Sequence, residues 1–81
     1  MYKNRAGDRN NLCGAQLRRL RLALPEPTSQ RMLAEDLILL GLELNKNAIQ
    51  RIESGQRFVT DIELQAFCCY FAVDPAALLE L

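Results

Sequence analysis

Histidine and tryptophan are absent from this chain of 81 residues, and cysteine occurs only three times, at Cys13, Cys68 and Cys69. An odd count with two cysteines adjacent argues against a disulfide framework. Without histidine and without a Cys-x-x-Cys spacing, the usual zinc ligand sets cannot be assembled. No apolar run reaches the roughly 18 residues that a membrane span needs. The stretch Met1–Asn11 is polar and charged and has no apolar signal-peptide core, so a soluble, cytoplasmic protein is expected. Nothing in the residue set brings together a nucleophile, a base and stabilising donors, so neither an enzyme nor a cofactor is expected, and no small-molecule ligand is evident. A chain this short allows one domain with a modest core, burying about 60–65% of its unfolded surface.

Net charge is also missing: ten Lys and Arg balance ten Asp and Glu. The distribution is uneven, however. Residues 1–57 hold every base and six of the acids, a net of +4, and residues 58–81 hold the other four acids and no base, a net of −4. A molecule divided in this way can present a basic face to a polyanion while remaining neutral overall.

What is present reads as five short helices and no strand, an all-α domain spanning residues 12–81 behind a flexible basic arm of residues 1–11 that carries Lys3, Arg5 and Arg9. Cys13, Leu17, Leu20 and Leu24 recur at steps of four, three and four, an amphipathic first helix that Pro25 and Pro27 stop. Arg18, Arg19 and Arg21 lie off that stripe. Thr28 or Ser29 caps a second helix with Leu33, Ala34 and Leu37, and then Leu40 or Gly41, facing inward. Gln30 and Arg31 in its exposed first turn, beside backbone donors, form a candidate phosphate clamp. The run Leu37–Leu44 is more apolar than one helix face requires, so part of it should cover a second surface.

A third helix is bounded by Asn45 as N-cap and Gly55 in the left-handed conformation. Ala48, Ile49 and Ile52 fall on one side, whereas Lys46, Asn47, Gln50 and Arg51 point elsewhere. Thr60 and Glu63 make a capping box for a fourth helix with Ile62, Leu64, Phe67, Cys68 and Phe71 as the inward stripe. Asp74-Pro75 opens a short fifth helix through Leu78 and Leu79.

The segment Gln30-x-x-Leu33-Ala34, then Ala48-Ile49-x-Arg51-Ile52-Glu53-x-Gly55, then Leu64 and Phe71-Ala72-Val73-Asp74, resembles the helix-turn-helix domain of phage Cro and cI-type repressors, the XRE-like group of bacterial regulators. The resemblance implies a compact five-helix, lambda-repressor-like domain whose third helix enters the major groove of double-stranded DNA. It places Lys46, Asn47 and Arg51 against base edges. Gln30, Asn45 and Arg57 fall at phosphate-contacting positions, with Arg31 beside Gln30 and Gln50 directed towards backbone or solvent; Glu53 takes a structural role. It also implies a bacterial or phage transcriptional regulator, most simply a repressor, acting as a homodimer with no catalysis and no membrane partner. Two departures stand out: the interval from Ala34 to Arg51 is longer than the family pattern, and Ala72 stands where glycine is common. One rival remains open, an antitoxin-like or adaptor module that binds protein, because it accounts equally well for the neutral charge and the apolar run.

Overall fold

Helix starts follow the capping groups that the sequence offers. The computed structural model describes residues 5–81 and contains, in chain order, α1 (Gly14–Leu22), α2 (Gln30–Ile38), α3 (Lys46–Glu53), α4 (Asp61–Phe71) and α5 (Pro75–Leu79), with no strand among the described residues. Ser29 Oγ accepts the Met32 N–H at 3.1 Å and Asn45 Oδ1 the Ala48 N–H at 2.8 Å. Thr60 and Glu63 exchange the two bonds of a capping box, at 3.2 and 3.0 Å. Each bond satisfies a backbone donor that the first turn leaves without a partner. At α5, Pro75 does the work through its fixed φ, since Asp74 makes no side-chain cap bond.

Apart from α1, which ends at the right-handed Ala23, helix ends are set by left-handed residues. Gly41 at φ 83° lets Leu42 N–H reach back to the Leu37 carbonyl at 3.0 Å, so α2 closes before the leucine run is over. Ala72 closes α4 in the same way at φ 55°, with Val73 N–H donating to Cys68 O at 3.1 Å. An alanine there is strained by its Cβ. Ala72→Gly is therefore expected to raise unfolding stability by about 0.5–1 kcal/mol. Ala23→Gly, at a right-handed cap with φ −90°, should lower it. Urea midpoints of the two variants test the pair.

Helix α3 packs on both α1 and α2, α2 also meets α4, and α5 closes against α1 and α4. The shared core is Cys13, Leu17, Leu33, Ala34, Leu37, Leu44, Ile49, Ile52, Phe67 and Leu78. A radius of gyration of 12.1 Å matches the ~12 Å of a folded chain of this length.

Four expectations are corrected. Arg21, expected outside the first stripe, is only 9% exposed, because it sits one turn after Leu17 and has a buried carboxylate to meet. Leu40 and Gly41 do not face inward, since the helix has already ended. Ile62 is 69% exposed: the capping box and Arg57 hold Glu63 inward, which turns its neighbour out. The segment expected as a free arm to residue 11 is anchored from residue 9 onward, as described below; Lys3 lies outside the described residues.

Candidate nucleic-acid interface

α3 is fixed at both ends before any side chain is considered. Asn45 caps its start, and at its end Gly55 at φ 86° lets Gln56 N–H donate to Arg51 O at 2.8 Å. Ile49 and Ile52 are fully buried on one side. Lys46, Asn47, Gln50 and Arg51 are all exposed. At about 100° per residue these four span roughly 140° of the helix circumference, with Gln50 between Lys46 and Asn47 rather than apart from them. Among the described residues no hydrogen bond or ion pair engages any of the four side chains. The three expected base-facing groups and Gln50 thus form one unengaged polar face.

The other expected contact residues are arranged differently. Gln30, at the first position of α2, donates its Nε2 to Glu53 Oε1 at 3.0 Å, so its amide is partly committed to the core. Arg31 is exposed, and its ion pair with Glu35 is long and exposed, 3.8 Å, and worth little. Asn45 uses its Oδ1 as the cap. Arg57 points its fork at Glu63, with Nη1 to Oε1 at 3.0 Å and Nη2 to Oε2 at 3.1 Å, and Nη1 also donates to Phe58 O. Burial pushes the Glu63 carboxyl up, but the bonds from Arg57 and the Thr60 backbone outweigh it and hold the group below the usual carboxylate range. Arg57 therefore arrives at any phosphate already paired. Of the five expected phosphate residues, Arg31 and Gln50 are the ones without a strong partner among the described residues.

Behind this face lies a buried ion pair that residue types alone do not reveal. Arg21 Nε donates to Glu53 Oε2 at 2.8 Å and Nη2 to Oε1 at 2.9 Å, and Nη1 donates to Thr28 O. Hydrogen bonding to Glu53 holds the guanidinium still more firmly protonated against the opposing effect of burial. Glu53, 5% exposed, thereby ties α1, the start of α2 and the end of α3 together, in keeping with the structural role expected for it. The periodic signal was present, since Arg21 follows Leu17 by four residues, but charge argued for the surface.

The N-terminal segment also contributes. Ala6 and Arg9 form a tight turn, Arg9 Nη2 donates to Glu53 O at 2.9 Å and Asn10 N–H to Gly55 O at 2.7 Å. Asn11 Nδ2 donates to Ile52 O at 2.9 Å and Arg57 O at 2.8 Å, while its Oδ1 accepts the Gly14 N–H. The Glu53 and Gly55 carbonyls gain donors in this way, and Ile52 O, which already accepts the Gly55 N–H, gains a second. No sequence rule for helix ends reaches this far along a chain.

Elsewhere, Tyr70 donates to Asp36 Oδ2 at 2.7 Å, and burial followed by this bond pushes its hydroxyl up to about 12. Burial pushes the Cys13 thiol up to about 11 and Cys68 upward too, which makes both poor nucleophiles. Among the described residues no helix is long and apolar enough to cross a membrane. No family model, curated protein or solved structure matches the chain.

Proposed function

We propose that this chain is a sequence-specific DNA-binding protein that inserts α3 into the major groove. More narrowly, it is a transcriptional regulator of the Cro/cI type, a repressor that acts by occupying its operator as a two-fold dimer. The observation that carries this reading is the face of α3, where two bases and two amides stand on a helix capped at both ends and braced by Glu53, with no hydrogen-bond or ion-pair partner among the described residues for any of the four side chains. Arg51 and Lys46 can donate to guanine O6 and N7, and Asn47 or Gln50 can pair with adenine N6 and N7. The start of α2, with Arg31 and the backbone donors of its first turn, suits a phosphate.

Fluorescence anisotropy tests the reading with a random-sequence duplex across salt concentrations, followed by selection of preferred sequences. Binding should weaken with salt, the logarithmic slope changing by about 0.9 for each phosphate neutralised. Arg51→Ala should cost roughly 5- to 150-fold at the preferred site and little on random DNA. Arg31→Ala should lower both alike and reduce the slope by about one contact. Gln30→Ala is a poorer probe of phosphate contact because it also unties Glu53. Absence of salt-dependent binding at low salt rejects the proposal and leaves the adaptor reading, which the exposed leucines after α2 favour.

A further inference from the structure

Arg57 is held by its main chain as well as by its side chain. Its N–H donates to Arg51 O at 3.2 Å and its carbonyl accepts from Asn11 Nδ2 at 2.8 Å, so the backbone is pinned beside the end of α3. Only the side chain is left to move. Glu63 occupies its fork, yet 32% of the Arg57 side chain still meets solvent, against 10% for Glu63.

Glu63 does not depend on that fork. Its Oε1 also accepts the Thr60 N–H at 3.0 Å, and it lies in the first turn of α4, where the positive end of the helix favours a carboxylate. The carboxylate therefore stays bonded if Arg57 turns away. Arg21, with only 10% of its side chain exposed, has no comparable way out of its pair with Glu53. A pair open to solvent is screened and held weakly. A duplex carries one charge per ~1.7 Å of its axis, and a guanidinium fork matches phosphate oxygens as well as it matches a carboxylate. Rotation of one side chain is enough to trade the first acceptor for the second.

We propose that Glu63 is an autoinhibitory acceptor: it fills the Arg57 fork in the free protein, and Arg57 reaches a DNA phosphate only by giving it up, so Glu63 lowers the affinity for duplex. The inference rests on the DNA-binding reading and adds to it a contact that restrains the binding.

Fluorescence anisotropy with a random-sequence duplex tests it on Glu63→Gln, with folding checked by circular dichroism. The new amide keeps an oxygen for the Thr60 N–H, as a capping box allows, but turns an NH2 towards Arg57 Nη2, and two donors cannot pair. Affinity should rise roughly three- to tenfold, and the logarithmic salt slope should steepen by about 0.9, one phosphate more. The urea midpoint of the same variant should fall, because an ion pair is lost. A merely structural role would lower stability and affinity together. Asp61→Asn removes the same charge from an exposed side chain in the same helix turn and should leave the salt slope unchanged. Arg57→Ala should cost at least about threefold on the Glu63→Gln background and much less beside native Glu63. In the unaltered protein, the Glu63 carboxyl followed by carbon NMR should titrate at higher pH with duplex than without, since the Arg57 bonds that hold it low have gone.

The proposal is overturned if Glu63→Gln binds no more tightly than wild type, if Asp61→Asn matches its gain, if Arg57→Ala costs the same on both backgrounds, or if the Glu63 titration ignores the duplex. The two readings fail distinguishably: salt-dependent binding by wild type with no gain in Glu63→Gln removes this contact alone, and no salt-dependent binding by either protein removes the regulator reading and the contact with it.

Discussion

Replacing Glu53 by alanine is expected to cost about 3–5 kcal/mol of stability, because it strands the Arg21 guanidinium in a place from which water is excluded. The two side chains are 10% and 2% exposed, so solvent screening does little to soften the loss. Gln30 loses an acceptor at the same time. Small domains hold only about 5–15 kcal/mol in total, and the variant should be largely unfolded at moderate urea concentrations. The pair itself need not stabilise the protein by that amount; the cost lies in breaking it. The double variant Arg21→Met with Glu53→Leu should therefore recover most of the loss. Urea unfolding followed by circular dichroism measures both, and a loss below about 1 kcal/mol for Glu53→Ala would mean that the pair is solvated.

Gly14→Ala should be nearly as damaging, for a different reason. A Cβ added there overlaps the Ile52 carbonyl oxygen and lies 2.7 Å from Asn11 Oδ1 and 2.8 Å from Arg9 Nη2. Two of these atoms belong to side chains that could yield, but the carbonyl belongs to the backbone of α3, so α1 must move away from it. The expected cost is about 3 kcal/mol. In a chain of this length that lowers Tm by roughly 10–25 °C. Differential scanning calorimetry checks it, and a shift of no more than about 3 °C would sink the close-approach argument. Glycine at this position is required by space, since it lies in an ordinary helical turn.

The sequence made the local features legible and left the distant ones hidden. Ser29, Asn45 and Thr60 marked helix starts because capping acts within three or four residues, and Pro75 marked the last because its φ is already helical. Pro25 and Gly55 marked ends for the same reason. The inward apolar residues Leu33, Ala34 and Leu37 of α2 and Ile49 and Ile52 of α3 followed from spacing alone. Arg21 and Glu53 are separated by 32 residues, and nothing local to either announces the other. Ile62 was misplaced because apolarity was read as inwardness, whereas the carboxylate beside it had the stronger tie to Thr60 and Arg57. The face of α3 was visible as residue types. The pairing of Arg57 with Glu63 and of Gln30 with Glu53, which changes what those two groups have left to offer, was not.

The belt formed by Arg9, Asn10 and Asn11 bears on the order in which the molecule is completed. Its bonds to the end of α3 join residues 41 to 46 positions apart in the chain. A loop that long closes slowly compared with the growth of a helix turn. Those bonds are therefore made after the helix's own, so the beginning of the chain arrives late, as a clamp over an end that Gly55 and Gln56 have already closed.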